Sequence, residues 1–501
     1  MKVRRNLLAG LANSIWSALI GLAVVPLYLK YLGAESYGLI GFFATTQAVL
    51  ILLDLGLSST INREVARFSA LGNLKQAGVL LHTLAIIYWI MAFIIGLLVI
   101  ALAPFIAEHW LQSKQLSTTT ILHAVMLMGV VIACRWPIGL YQGVLIGAQR
   151  LSIYSLINMV MVTAASLGAV AILAFVSATI EAFFMWQAFV GVIYAVTIRI
   201  AAWKSIGKHE QLKFDTDSLK SVWRFSVGMS GIGLTALVFT QLDKIILSKM
   251  LGLAEFGHYM LATLLASGLY ILVIPVYNVV YPRFSALIAA GDTDRLIELY
   301  RLGTRMLTTV LFPVAMILVV FSHSILLLWT DNAEIATSTA PVVSLLAIGS
   351  ALHGAMYFPY ALQLASGKPS LALKINGFLI VILPPLTIFF TLKYGMLGGA
   401  ISWLILHIIY LIFGTWMTHR KLLRGIGAEW LLKDVGIPLM LSTIVGVVGY
   451  FVSNNAHLSI FLKLLSGFVL ALIALAFSIL MSSKLRMNVV SIAVLKKTLA
   501  S

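Results

Sequence analysis

The sequence contains fourteen apolar runs long enough to cross a membrane, and this series limits the possible folds more than any other feature. The hydrocarbon core of a bilayer is about 30 Å thick, so a crossing helix needs about 20 apolar residues. Charged residues make up 10% of the chain, against about 25% in average soluble domains. We therefore predict an all-α integral membrane protein. The predicted transmembrane helices lie near 7–29, 38–58, 78–106, 117–147, 152–175, 179–203, 222–248, 256–281, 299–328, 336–364, 369–392, 396–418, 433–453 and 457–482.

Two short motifs occur twice, in the same order. Residues 30–38 (KYLGAESYG) resemble residues 249–257 (KMLGLAEFG), and the sequence RFSAL stands at both 67–71 and 283–287. The second copies follow the first by 219 residues (249 − 30) and 216 residues (283 − 67). Two matches at nearly the same offset indicate an internal duplication. Six predicted helices separate the copies, an even number, so the halves form a parallel repeat with the same orientation in the membrane.

The duplication predicts two lobes of six helices each, 1–203 and 222–418. A cytoplasmic linker at 204–221 joins them, and it is too short for a soluble domain of about 50 residues. Two additional transmembrane helices in 433–482 have no counterpart in the first half. The remaining segment, 483–501, is predicted to be a cytoplasmic tail.

The distribution of Lys and Arg predicts how the chain is oriented. With the N-terminus inside, 27 of the 34 basic residues fall on the inner side, 6 fall on the outer side, and Arg135 lies within a helix. Because basic residues concentrate in cytoplasmic loops, both termini are predicted to be cytoplasmic. The same asymmetry accounts for most of the net charge of +17 without a nucleic-acid partner.

The sequence lacks the common signatures of catalysis and of metal binding. It has no phosphate-binding P-loop, no nucleophile elbow and no clear pair of carboxylates, and its ten histidines do not have metal-ligand spacing. We therefore expect no catalytic residues, no metal site and no cofactor, and we predict that the protein is not an enzyme.

Arg135 is the first candidate for a substrate cavity because it lies near the middle of the fourth predicted helix, beside Trp136 and Pro137. A charge at that depth costs at least about 2.5–3.5 kcal/mol on insertion scales, so it should face a partner or a wet cavity. One interpretation is an anion site for a phosphate or a sugar acid. The alternatives are a structural ion pair and snorkelling toward the inner surface, and the sequence leaves all three open.

Further cavity candidates are polar residues on the first, second and seventh predicted helices. Asn13 shares a face with Ser17, four residues on. Asp243 and Lys244 point about 100° apart, so one is expected to line the cavity while the other meets neighbouring helices. A salt bridge that locks the seventh helix to its neighbours is the alternative for this pair. The full set of cavity candidates is Arg135, Asn13, Gln47, Gln241, Asp243 and Lys244.

Four residues are candidates for the cytoplasmic mouth of the cavity. Asp54 lies near the inner end of the second helix, and its alternative role is a hydrogen bond to a neighbouring helix end. Arg63, Arg67 and Arg283 lie just on the cytoplasmic side of the membrane, where they would meet a polar headgroup. The positive-inside rule alone is the alternative explanation for these three arginines.

The motifs in both halves resemble those of bacterial polysaccharide flippases of O-antigen type. These flippases belong to the superfamily that also holds multidrug and toxic compound extruders. The resemblance covers the first twelve predicted helices. It is carried by residues 29–38 (LKYLGAESYG), 53–57 (LDLGL), 63–64 (RE), 241–247 (QLDKIIL), 251–252 (LG) and 256–259 (FGHY).

The resemblance implies two six-helix lobes around a central cavity, alternating access, and a place in the bacterial inner membrane. The implied substrate is an oligosaccharide on undecaprenyl pyrophosphate, moved from the cytoplasmic to the periplasmic leaflet. Membrane lipids and polysaccharide polymerase machinery are candidate partners, and H+ or Na+ is a candidate coupling ion, but the sequence does not reveal whether transport needs an ion. A cationic cavity would suit the pyrophosphate, and Arg135 is the leading candidate for that role because of its depth.

Several other functions remain open at this stage. Lipid II flippases also have fourteen helices, but they carry arginines inside the first two helices. Here no Lys or Arg lies between Arg5 and Lys30 or in the second helix, which makes lipid II the less expected cargo. The alternatives are a cation-coupled multidrug extruder of the same superfamily, a membrane-embedded glycan polymerase or ligase, and a scaffold that transports nothing.

Overall fold

The computed structural model describes residues 2–207, 213–453 and 459–480. Throughout these residues the regular structure is helical, and no strand is present, which confirms the predicted all-α fold. Eleven helices within them are long and apolar enough to cross a membrane. The predicted tail at 483–501 and residues 208–212 of the predicted linker lie outside the described residues.

The chain divides into two compact units, Met1–Gly257 and His258–Ser501. The first unit contains α1 (Lys2–Leu50), α2 (Leu57–Ala70), α3 (Leu74–Phe105), α4 (Thr118–Arg135), α5 (Ile138–Gly147), α6 (Leu151–Phe175), α7 (Ile180–Ile206) and α8 (Thr216–Met250), and α9 (Leu253–Ser267) begins in it. The second unit contains α10 (Tyr270–Ala290), α11 (Thr293–Val320), α12 (Ser322–Thr330), α13 (Ala333–Ala355), α14 (Tyr357–Ala365), α15 (Pro369–Tyr394), α16 (Met396–Ile409), α17 (Thr415–Lys421), α18 (Gly427–Glu429), α19 (Ile437–Ser453) and α20 (Ile460–Leu480).

The described residues do not confirm the predicted count of fourteen membrane helices, and α1 accounts for one difference because it contains two of the predicted helices. The apolar segment Leu8–Asp54, which runs from α1 into the short turn after it, is 47 residues long, and that length of helix, about 70 Å, is more than twice the thickness of the hydrocarbon core. It therefore covers the first two predicted helices. Gly33 lies between them with φ 78°, where the two helices join across a kink.

The first unit is held together by neighbouring helices that pack in pairs. The contacting pairs include α1 with α6, α3 with α4, α4 with α7, and α2 with α5. At the last of these, Gly143 of α5 comes so close to α2 that a Cβ there would lie 2.6 Å from the Ser58 carbonyl oxygen. Helix α8, which the sequence assigns to the second lobe, packs on α1, α2 and α3 and belongs to this unit. The division into six-helix lobes thus stays a prediction.

In the second unit, α11 holds the segment that leads into α19. This segment, Trp430–Gly436, is a π-helical turn, and the carboxylate of Asp434 within it is fully buried. Arg301 donates to Asp434 Oδ2 at 2.9 Å, and Arg305 donates to Asp434 Oδ1. The Thr308 hydroxyl donates to the Asp434 carbonyl oxygen at 2.8 Å. These bonds attach the two additional C-terminal helices to the body of the unit.

Candidate functional site

The first unit contains a cavity of about 530 Å³ that is lined by polar as well as apolar side chains. Its lining comes from the end of α1 and the turn after it, the first turn of α2, the end of α4, α5, α6 and α7. The polar and charged lining residues are Gln47, Asp54, Ser58, Arg135, Trp136, Gln142, Tyr154, Asn158, Ser166, Gln187 and Tyr194. We call this space the Arg135 cavity.

A helix break positions Arg135 at the cavity. Helix α4 ends at Arg135 and α5 begins at Ile138. Pro137 stands between them, and its ring nitrogen cannot donate the hydrogen bond that would continue α4. The Arg135 side chain therefore lies at the break between α4 and α5, beside the cavity, and not on the packed face of a continuous helix.

The Arg135 guanidinium is held by a neutral partner. Its Nη2 donates to the Gln187 Oε1 at 2.5 Å, and the Gln187 Nε2 in turn donates to the Ala165 carbonyl oxygen at 3.1 Å. The Phe43 ring centroid lies 6.0 Å from the guanidinium carbon. No carboxylate of the described residues lies within 4.0 Å of Arg135. The cavity thus contains a positive charge whose neighbours do not neutralise it.

The Asn158 side chain, which also lines the cavity, connects three helices through hydrogen bonds. The Asn158 Nδ2 of α6 donates to the Asn13 Oδ1 of α1 at 2.7 Å, and the Tyr194 hydroxyl of α7 donates to the Asn158 Oδ1 at 2.8 Å. Asn13 was predicted to line the cavity, but it reaches the site through Asn158 and is not itself a lining residue. Its amide supports the cavity wall.

Gln47 and Asp54 also lie at the Arg135 cavity, so three of the predicted site residues share one space. Asp54 was assigned to the cytoplasmic mouth. Its Oδ2 accepts from the Ser58 backbone N–H at 3.2 Å, in the first turn of α2, and its Oδ1 accepts from the Tyr88 hydroxyl. Asp54 therefore combines a cavity-lining position with the helix-end hydrogen bond that was its alternative role.

The remaining mouth candidates do not line this cavity. Arg63 and Arg67 both pair with Glu64, at 2.6 Å and 2.8 Å, and their side chains are about half exposed. Arg283 is exposed on α10 in the second unit. None of the three is among the lining residues.

The predicted candidates on α8 lie away from the cavity as well. The Lys244 Nζ donates to the Asp243 Oδ1 at 3.1 Å and to the Thr240 carbonyl oxygen at 2.8 Å, and both charged side chains are buried. The lysine thus folds back along its own helix to reach the preceding carboxylate. Gln241 lies on the same helix and is not a lining residue either.

The two copies of the first repeated motif touch each other. Gly38 and Gly257 occupy the same position in their copies, and a Cβ on Gly38 would lie 2.1 Å from the Leu253 carbonyl oxygen. A Cβ on Gly257 would lie 2.6 Å from the Ala34 carbonyl oxygen. We call this the glycine contact. The duplication was visible in the sequence, but nothing there showed that the copies meet.

A buried carboxylate orders the loop beside the glycine contact. Glu35 accepts hydrogen bonds from the Ser113 hydroxyl and from three successive backbone N–H groups, those of Lys114, Gln115 and Leu116, at 2.5–3.0 Å. The carbonyl oxygen of Gln112 accepts from the Leu253 backbone N–H at 2.7 Å. The loop therefore braces the two motif copies where they touch.

The helices and the polar cavity define a multi-pass α-helical membrane protein. Residues 3–288 match the family described as polysaccharide biosynthesis protein, which is more than half of the chain. The chain belongs to this family. It is 22% identical over 420 residues to a "Putative O-antigen transporter" of Shigella flexneri, covering 81% of this chain and 97% of that protein.

Solved structures share the fold. The "Lipid II flippase MurJ, inward closed conformation" aligns with a TM-score of 0.72 at 15% identity, covering 94% of this chain and 98% of that chain. An inward-facing multidrug resistance transporter of the MATE family and MOP superfamily aligns with a TM-score of 0.63 at 14% identity, covering 82% and 98%. At these identities the likeness shows the fold alone. The family match confirms the predicted family, and the shared fold agrees with the predicted all-α membrane architecture.

Proposed function

We propose that the protein moves an oligosaccharide on undecaprenyl pyrophosphate from the cytoplasmic to the periplasmic leaflet of the bacterial inner membrane, for surface polysaccharide synthesis. The observation that carries this proposal is the Arg135 guanidinium, which lies in a cavity at membrane depth with no carboxylate partner among the described residues. The family match and the name of the Shigella relative support the substrate class.

Electrostatics favours a phosphate-bearing ligand at this position. A buried cation is costly until an anion accompanies it. Guanidinium groups bind phosphate oxygens through paired N–H donors, and hydrogen bonds between charged groups are about twice as strong as neutral ones. Gln187 occupies one Nη2 donor of Arg135 and so fixes the direction in which the remaining donors point. In this proposal those donors hold the pyrophosphate.

The volume of the cavity sets how much of the substrate it holds. At about 530 Å³ it has the size of a small-molecule site, and such sites span about 300–1,000 Å³. A pyrophosphate with an adjoining sugar fits in that space, whereas a complete oligosaccharide with its lipid chain does not. The rest of the glycan must therefore contact other surfaces of the protein.

We further propose alternating access, with the glycine contact as the closure on the predicted periplasmic side. Backbone contact without intervening side chains seals tightly and leaves no bulky groups to repack when it opens.

A coupling ion, H+ or Na+, also belongs to the proposal. Asp54 is the carboxylate among the described residues that line the cavity. In this arrangement both termini face the cytoplasm. Polysaccharide polymerases act on the substrate after it has been exported, and the protein itself is assigned no catalytic step.

Replacement of Arg135 in a strain that lacks this gene tests the proposal. Export of surface polysaccharide and accumulation of lipid-linked precursor are measured, with the protein level followed by immunoblot. We expect Arg135→Ala to reduce export at least tenfold at normal protein level and Arg135→Lys to restore part of it. The matched control is Arg295→Ala, because Arg295 pairs with Asp292 on an exposed helix start.

Two outcomes would contradict the proposal. Normal export with both Arg135 variants would show that the positive charge of Arg135 takes no part in transport. Normal polysaccharide in the deletion strain, together with increased sensitivity to cationic drugs, would favour the multidrug extruder of the same superfamily.

A further inference from the structure

Four partly exposed tyrosines form a cluster in the second unit. They are Tyr277 and Tyr281 on α10 and Tyr357 and Tyr360 on α14, and we call them the tyrosine cluster. The spacings of four and three residues place each pair on one face of its helix. Helices α10 and α14 pack against each other, so the two pairs meet.

The rings of the tyrosine cluster form an ordered surface. Tyr277 lies nearly parallel to Tyr281, with centroids 5.9 Å apart and 5° between the planes, and nearly parallel to Tyr360, at 6.0 Å and 22°. Tyr357 meets Tyr277 edge-on at 5.6 Å and 84°. Three rings therefore share one orientation, and the fourth supports them from the side.

The hydroxyl groups of this cluster remain available to a ligand. Within the described part of the chain, none of the four donates to or accepts from a protein group, and none is a buried atom without a partner. Hydroxyl groups that faced lipid would lose hydrogen bonds to water without replacement. Four such groups beside flat ring faces therefore favour a surface that meets a polar ligand.

The internal repeat gives this surface its functional position. The motif RFSAL lies at the end of α2 in the first unit and within α10 in the second, so α2 and α10 are equivalent. Their partners α5 and α14 each follow a break after a longer helix. In the first unit, Ser58 of α2 and Gln142 of α5 line the Arg135 cavity. The tyrosine cluster occupies the corresponding helix pair of the second unit.

We infer that the tyrosine cluster is a binding surface for the sugar rings of the transported glycan. A pyranose has a C–H face that is apolar and slightly positive, and an aromatic ring has a negative face, so the two attract each other. The neighbouring tyrosine hydroxyls then bond the hydroxyl groups at the edge of the sugar. This inference rests on the proposed function and assigns the part of the substrate that the Arg135 cavity cannot hold.

Lipid binding to the purified full-length protein tests the inference. Two probes are compared: undecaprenyl pyrophosphate without sugar, and undecaprenyl pyrophosphate that carries the host's oligosaccharide. The double variant Tyr277→Leu/Tyr360→Leu removes two ring faces and keeps apolar volume. We expect it to bind the glycan-bearing lipid about tenfold more weakly, which is about 1.4 kcal/mol, and to bind the sugar-free lipid as the wild type does.

Two further variants act as controls. Tyr277→Phe keeps the ring and should retain most of the sugar-dependent affinity, which separates stacking from loss of folding. Tyr394→Leu changes an exposed tyrosine of the same unit that lies outside the cluster, and it should change neither affinity. Unchanged binding of the glycan-bearing lipid by the double variant would overturn the inference. Failure of the wild type to bind either lipid would instead overturn the proposed function.

Discussion

The same pair of repeated helices carries different chemistry in the two units. In the first unit, α2 and α5 meet through small residues: the Ser58 hydroxyl donates to the Gly139 carbonyl oxygen at 2.8 Å, and Gly143 lies against the α2 backbone. In the second unit, α10 and α14 meet through aromatic rings, including Phe284 and Phe358 with centroids 6.3 Å apart. Duplication kept the helix pairing while the side chains diverged, and our proposals give the first unit the pyrophosphate and the second the sugars.

Charge is also used differently in the two units. The Arg135 guanidinium has a neutral amide as its partner in the first unit. In the second unit, Arg301 and Arg305 share the buried carboxylate of Asp434. Because a buried charge without a counterion is costly, the first arrangement is the one to which we assign ligand binding in our proposal. The second indicates attachment of a structural segment.

This contrast predicts its largest effect on stability at Asp434. Asp434→Ala removes the buried carboxylate that Arg301 and Arg305 share, and breaking a fully buried pair costs about 3–5 kcal/mol, an upper figure here because both arginines are about a quarter exposed and Arg301 also pairs with Glu429. We expect a strongly lowered thermal midpoint of the purified protein. Arg135→Gln, which removes a cation but leaves no unpaired charge behind, should lower that midpoint little. Equal destabilisation by the two variants would break the comparison between functional and structural charge.

The glycine contact predicts a smaller but symmetric effect on transport. Gly38→Ala and Gly257→Ala each place a methyl group against a backbone oxygen. Each should therefore reduce export about tenfold, which corresponds to about 1.4 kcal/mol in the free energy of closing the contact. Gly21→Ala and Gly377→Ala are matched controls on helices, because a Cβ at either position has no neighbour within 4 Å. Export assays with the protein level followed by blot decide the matter. Full activity of Gly38→Ala would exclude this contact as the closure.

Much of the fold was predictable because its signals are local. Apolar runs of membrane length and the repeated motifs are properties of continuous sequence, and they predict the all-α membrane fold and the family correctly. The number of separate helices was not predictable in the same way. The first two predicted helices are both present and meet at Gly33, where the backbone leaves helical geometry at φ 78°, but together they form one kinked element, α1.

Three of the predicted site candidates lie together in the structure, whereas the residues that position them were not named from the sequence. Arg135 was selected for its depth in an apolar run, Asp54 for its place near the inner end of a helix and Gln47 for sharing a face with Asp54, and the three line one cavity. Gln187 and Asn158 stand in similar runs, but depth alone does not show which neighbour a side chain faces. That direction depends on how α4, α6 and α7 pack, which involves residues far apart in the chain.

Lys244 shows a different limit of the sequence argument. The 100° between adjacent residues correctly separates the backbone directions of Asp243 and Lys244. A lysine side chain is long and flexible enough to cross that angle, and it bonds the preceding carboxylate and the Thr240 carbonyl oxygen. Helical periodicity determines the direction in which a side chain leaves the backbone. For a long side chain it does not determine the position of the charged group at the end.

The most direct test of the central claim is the affinity of the purified protein for undecaprenyl pyrophosphate that carries no sugar. Bonds between a guanidinium and a phosphate contribute about 1.5–3 kcal/mol. We therefore predict that Arg135→Ala weakens binding by about 10–100-fold, that Arg135→Lys lies between it and the wild type, and that Tyr277→Leu/Tyr360→Leu binds normally. Identical dissociation constants for the wild type and both Arg135 variants would contradict the assignment of this cation to the pyrophosphate.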